Sequence, residues 1–290
     1  MEVTVIGHGS WMSGRGLSFS GRFQVRTARI VALDGCTRGF AKLSKYGDRF
    51  ATDLELEQPA LEGAVVSPQT APDGQVEALG LSVSLKDCGR LVKREGYRPE
   101  ALLTLVEQAR KHGLGVAEWL WQLAAEQAHD LGAYRRQLFL ITGYTSPHYI
   151  PHPVRLAKAG YALIFLAPGP LGTGTPDVVS IRQQTGINTI LSTAETWRRK
   201  PNADQTTYFL SCLLGGAHGI NVRDFLASVG ENRALAETLS QRIRPVLAEE
   251  VACFLQTTGL KPEQYTQAFG SPEATLRRSG LGEFLERFDS

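Results

Sequence analysis

The chain carries few of the residues that usually announce a chemistry. Its four cysteines, Cys36, Cys88, Cys212 and Cys253, lie far apart, so no C-x-x-C pair exists for a metal or a redox couple. They read as reduced, mostly buried thiols, as expected of a cytoplasmic protein. No apolar run approaches membrane-spanning length; residues 161–167 form the longest, and it is strand-sized. A signal peptide is not expected, because Glu2 and Gly7-His8-Gly9 interrupt any apolar core at the N-terminus. Charge is nearly balanced, at a formal +2, and no basic run exceeds Arg198-Arg199-Lys200. Neither nucleic acid nor a membrane is therefore expected as a partner. There is no Gly-Lys-Ser/Thr phosphate loop, no nucleophile elbow and no internal repeat. His148 and His152 have the i, i+4 spacing of a helical metal site, but Pro147, Pro151 and Pro153 argue against a helix there.

What the chain does have is a substantial core and two contrasting halves. With 290 residues, 42% of them hydrophobic and 21% charged, it fits one large globular domain or two modest ones. Residues 3–6, Val-Thr-Val-Ile, predict a short buried strand. Residues 23–33, 39–43, 49–54 and 61–66 predict further strands, giving a small barrel or a strongly curved sheet. From Ser84 the period changes. Leu85, Cys88, Leu91 and Val92 recur at helical spacing and stop at Gly96. Two longer helices are expected from Pro99 and Val116, then strands over 137–142 and 161–167, with a Pro-rich loop over 144–153 between them. Beyond Gly172-Thr173-Gly174-Thr175 the pattern is helical, including a long helix over 231–257 that contains Pro245.

Two segments stand out as a pair. The first strand ends in Gly7-His8-Gly9-Ser10-Trp11, where glycines permit close backbone approach and the amides of Gly9, Ser10 and Trp11 can line an anion-binding nest. It is not the dinucleotide fingerprint, because Gly7, Gly9 and Gly14 have the wrong spacing. The second segment is Leu91-Val92-Lys93-Arg94-Glu95-Gly96-Tyr97. Alone, Glu95 is an ordinary solvated helix end and Gly7-His8-Gly9 an ordinary tight turn. Together they predict a carboxylate facing main-chain donors, with Arg94 pointing away.

In order along the chain, these segments resemble the γ-glutamylcyclotransferase-like family. His8-Gly9-Ser10-Trp11-Met12 resembles its Tyr-Gly-Ser turn, and Ala28-Arg29-Ile30 to Phe40 its second segment. Ala51-Thr52 with Leu61-Glu62-Gly63-Ala64-Val65-Val66 is similar to its paired strands. Leu91-Val92-Lys93-Arg94-Glu95-Gly96 resembles its Leu-Asp-x-x-Glu-Gly, and the stretch 140–166, with Tyr144, Tyr149 and Pro151, its late strand and tyrosine-bearing loop. The resemblance covers roughly the first 170 residues, one ordinary domain. His8, Trp11 and Val92 depart from the family's usual residues.

The resemblance implies an α+β fold with a small β-barrel flanked by helices over 1–175; the helical pattern adds an insertion at 98–135 and an extension over 176–290, both departures from the family. It implies an enzyme, a carbon-nitrogen lyase or acyltransferase, that cyclises a γ-glutamyl amide or peptide to 5-oxoproline and a free amine without metal or cofactor. Glu95 would be the general acid/base. His8, Gly9, Ser10, Trp11, Tyr144 and Tyr149 would bind the substrate. The alternatives are a non-catalytic binding or assembly protein that keeps the barrel, and an acyl- or amide-group transferase using the same pocket. A homodimer through the C-terminal helices is a further expectation.

Overall fold

A computed structural model describes residues 2–43, 61–66, 73–146, 149–156, 160–166, 203–230 and 233–288. Elements are numbered over those residues. The expected strand at 49–54 and the boundary at 175/176 lie outside them.

The first strand, β1 (Glu2–Gly7), is central. It pairs antiparallel with β5 (Gln75–Ser84) on one side and parallel with β7 (Gly160–Leu166) on the other. β2 (Val25–Asp34) lies outside β5, and β6 (Ile150–Leu156) outside β7, which gives the order β2-β5-β1-β7-β6. A separate two-stranded sheet joins β3 (Thr37–Leu43) to β4 (Leu61–Val66). The fold is thus mixed α and β, as expected.

The five-stranded sheet is not closed into a barrel. β2 and β6 come within 8 Å at their Cα atoms, yet no ladder joins them. Curvature explains the approach. Val31 and Leu33 of β2, Val76 and Ala78 of β5, Ile6 of β1, Ile164 of β7 and Leu156 of β6 bury one another in a single cluster on one face. The sheet therefore curls around its own side chains. The hydrogen-bonding edges of its outer strands are left apart, where full closure would pair them.

The opposite face is covered by helices. α1 (Gly14–Ser18) follows the β1 turn, and α2 (Leu85–Arg94) leads directly out of β5. α3 (Pro99–Lys111), α4 (Val116–Glu126) and α5 (Leu131–Thr142) occupy the stretch read as an insertion. Here the strand expected at 137–142 is corrected to the last half of α5. Asp130 caps its start, its carboxylate accepting from Ala133 N–H at 2.5 Å, and Gly143 ends it with φ +65°. The loop expected at 144–153 is also corrected in part, because its end is strand β6. Pro151 and Pro153 are tolerated there because β6 is an edge strand, where a missing N–H breaks no central ladder. Trp121 packs its ring on His129 and on Tyr161 of β7.

Among the described residues the C-terminal part contains α6 (Ala203–Leu213), a 3-10 turn (Leu214–His218), α7 (Arg223–Gly230), α8 (Arg233–Thr258), α9 (Pro262–Phe269), α10 (Pro272–Ser279) and α11 (Leu281–Arg287). These helices share one core with the sheet: Val3, Leu91 and Leu163 lie in the same buried cluster as Phe209, Leu239 and Phe254. The approach is close. A Cβ on Gly14 would stand 2.3 Å from the Phe254 backbone nitrogen, so α1 touches α8 main chain to main chain. The apolar stripe of α8 is directed inward, with Leu235, Leu239, Ile243 and Phe254 buried. The exposed large apolar side chains among the described residues are Phe19, Leu103, Phe139 and Leu140, all outside the C-terminal helices. No helix among the described residues is long and apolar enough to cross a membrane.

Candidate functional site

The site starts with the end of β1. Residues 10–12 form a single 3-10 turn, closed by Met12 N–H donating to Gly9 O at 3.0 Å. This turn folds back on the strand. A Cβ on Gly7 would stand 2.7 Å from the Trp11 Cβ, so glycine is required for the reversal. The turn is buried: His8, Ser10 and Trp11 are each less than one-tenth exposed. His8 Nε2 lies 3.0 Å from the Phe165 carbonyl oxygen on β7, with Nε2–H as donor. The Trp11 ring faces Phe165 at 6.1 Å between centroids.

α2 supplies the carboxylate. Ser84 caps the helix, accepting from Asp87 N–H at 3.1 Å, and Cys88, Leu91 and Val92 are buried on its inner face. The helix ends where the glycine spacing predicts. Gly96 takes φ +72°, and Tyr97 N–H returns to Val92 O at 3.0 Å. Glu95, at this C-terminal cap, is half-buried.

These two ends meet. Ile6, Gly7, His8, Gly9, Ser10 and Trp11 line one small cavity together with Glu95, Tyr149, Phe165 and Tyr208. Its volume is about 30 Å³. Such a volume holds a water molecule, whereas ligand pockets commonly run to about 300–1,000 Å³. Of the expected site residues, His8, Gly9, Ser10, Trp11, Glu95 and Tyr149 are brought together. Tyr144 is not among the lining residues. Its hydroxyl donates to Gly96 O at 2.8 Å and its ring meets Tyr97 edge-on, so it braces the helix end that carries Glu95.

Arg94 overturns one expectation. Its guanidinium turns toward the site, donating to Ser10 Oγ at 2.5 Å and to Gly16 O at 2.6 Å, with Trp11 and Phe19 rings beside it. The reason lies in helix geometry: residues 91 and 94 are three apart and share a face, and Leu91 faces the core. Val92 is fully buried in that core.

Two further groups lie beside the turn and had no sequence signal. Arg38 is buried and donates to both carboxylate oxygens of Asp224, to Glu77 O and to Asn221 O. Its Nη1 also reaches His8 O at 3.5 Å. Tyr208, from α6, lines the cavity itself.

Burial pushes the Cys36 thiol up to about 11, with Asp34 adding to the shift, and the Cys88 thiol up to about 12. Neither is a thiolate nucleophile near neutral pH. Among the described residues no group of three His, Cys, Asp or Glu side chains is arranged to hold a metal.

No family model matches the chain, and no curated protein matches it.

Proposed function

We propose that the chain is a γ-glutamylcyclotransferase-like enzyme that converts a γ-glutamyl amide or peptide into 5-oxoproline and a free amine, with no metal or cofactor. One observation carries the reading: Glu95 and the Gly7–Trp11 turn, far apart in sequence, line a single cavity. On this reading the curled sheet is the family's barrel with its outer edges left unpaired.

A γ-glutamyl group contains its own nucleophile. Glu95 takes a proton from the α-amine, and the nitrogen lone pair attacks the γ-carbonyl carbon. A five-membered ring closes. The carbon–nitrogen bond to the leaving amine then breaks as that nitrogen receives the proton from Glu95. One carboxylate thus serves both steps. Because attack is intramolecular, holding the chain folded supplies much of the acceleration. The main-chain donors of the turn would hold the substrate's carboxylate or polarise its carbonyl. Arg94 keeps Ser10 in place by its hydrogen bond.

One observation favours a second reading, a binding or assembly protein that keeps the sheet. The cavity, at about 30 Å³, is far below substrate size. Catalysis requires it to widen. Product analysis separates the readings: the protein is incubated with a panel of γ-glutamyl amides and the products are resolved by mass spectrometry. The enzyme reading expects 5-oxoproline. Glutamate or a transferred γ-glutamyl group would identify a hydrolase or transferase, and no product from any amide would leave the binding reading.

A further inference from the structure

One wall of the Glu95 cavity comes from outside the stretch that resembles the family. Tyr208 belongs to α6, in the C-terminal helices, and it lines the cavity with Gly9, Glu95 and Tyr149. Its hydroxyl lies 3.3 Å from the point that a Cβ on Gly9 would occupy. The phenol therefore fills the space beside the Gly9 main chain. The helix behind it is firmly seated: Phe209, Leu210, Cys212 and Leu213 are buried in the core shared with Val5, Trp11 and Leu91. Tyr208 itself is half-buried.

A second observation concerns Trp11 in the wall of the same cavity. Trp11, one of its lining residues, is 4% exposed, and its indole N–H has no acceptor among the described residues. An indole can only donate, and a buried donor without an acceptor is costly. A carbonyl or carboxylate oxygen brought within hydrogen-bond distance of that N–H would relieve that cost.

We propose that Tyr208 is the specificity-determining residue of this site: its phenol limits the size of the leaving amine beside Gly9. The C-terminal helices, and not the sheet, would then choose the substrate, favouring γ-glutamyl amides of small amines. This rests on the cyclotransferase reading, in which the γ-glutamyl part is constant and only the amine side varies.

The test compares γ-glutamylmethylamide with γ-glutamyl-p-nitroanilide on full-length wild type, Tyr208→Phe, Tyr208→Leu and Tyr208→Ala. For each protein, kcat/KM for 5-oxoproline release and the Kd from calorimetry are measured with both amides. Tyr208→Ala is expected to raise the preference for the bulky amide about tenfold or more. Tyr208→Phe should keep the wild-type preference, and Tyr208→Leu should fall between. Tyr208→Leu also decides the matter if Tyr208→Ala does not fold. An unchanged preference in the folded Leu or Ala variant overturns the proposal. If no protein releases 5-oxoproline, the cyclotransferase reading fails, and the ratio of Kd values then judges Tyr208 separately. A shifted ratio keeps size selection; an unshifted one, or no binding of either amide, removes it.

Discussion

Arg38 and Asp224 meet as a two-pronged pair, Nε to Oδ2 at 2.9 Å and Nη2 to Oδ1 at 2.8 Å. The arginine side chain is fully buried and the carboxylate is about one-quarter exposed. Arg38 also stacks over Phe225 at 4.6 Å and reaches the carbonyls of Glu77 and Asn221. The pair ties β3 to α7 and ends beside His8, so it joins the C-terminal helices to the turn of the candidate site.

Removing the carboxylate leaves a buried guanidinium with neutral acceptors alone. Asp224→Ala is expected to lower the unfolding free energy by about 3 kcal/mol, the lower end for a broken buried pair, because the carbonyls of Glu77, Asn221 and His8 remain as acceptors. The urea midpoint of wild type and variant measures this. A variant as stable as wild type would show that the pair holds nothing together.

Glu250 is a second buried tie between the halves. Its oxygens accept from the backbone N–H of Gly14 and of Arg15, and from His218 Nε2 at 3.0 Å. Tyr265 O–H completes the chain, donating to His218 Nδ1 at 2.8 Å. Burial, with Glu250 adding to it, pushes the Tyr265 phenol well up, so it stays a donor. Glu250→Ala should cost roughly 3 kcal/mol, since several buried donors lose their acceptor at once. Loss of near-ultraviolet circular dichroism at a lower temperature than wild type would report it. Glu250→Gln, which keeps one acceptor oxygen, should cost less.

Both ties were invisible in the sequence for the same physical reason. A buried polar partner is chosen by three-dimensional proximity, and residues 38 and 224 share no local pattern. By contrast, the two ends of the candidate site were legible because each rests on local rules. The β-branched Val3 and Val5 before Gly7 set a strand and a reversal, and Leu85, Cys88, Leu91 and Val92 before Gly96 set a helix and its stop. β5 escaped notice because it is paired on both sides. Residues Ala78 to Leu81 are buried on both faces, so the alternation that marks a half-exposed strand disappears. Residues 137–142 looked like a strand because Leu138, Phe139, Leu140 and Ile141 form an apolar run. The structure keeps only Leu138 of these fully inside and leaves Phe139 and Leu140 exposed on a helix. Tyr208 carries no local mark at all; packing alone brings α6 to Gly9.

The buried His152 gives the fold a pH dependence. Burial, the largest influence, drops its pKa from about 6.5 to about 4. The imidazole sits edge-on to Tyr134, at 5.5 Å between centroids. The unfolded chain binds this proton more readily than the folded one, so stability rises with pH through the window. The contribution is complete above pH 6.5 and is lost as pH falls toward 4, amounting to about 3 kcal/mol at most. Urea titrations at intervals between these values should show the slope in wild type, and it should flatten in His152→Phe. A slope of the same size in that variant would place the dependence elsewhere.

The central claim concerns Glu95, and its substitution by glutamine tests it with the least disturbance, since shape is kept while the proton-accepting charge is removed. The measurement is the rate of 5-oxoproline release from a γ-glutamyl amide by wild type and by Glu95→Gln, with both proteins first shown to melt alike. The account predicts release by wild type and a fall of about 100-fold or more in Glu95→Gln. Equal rates from the two proteins would contradict it.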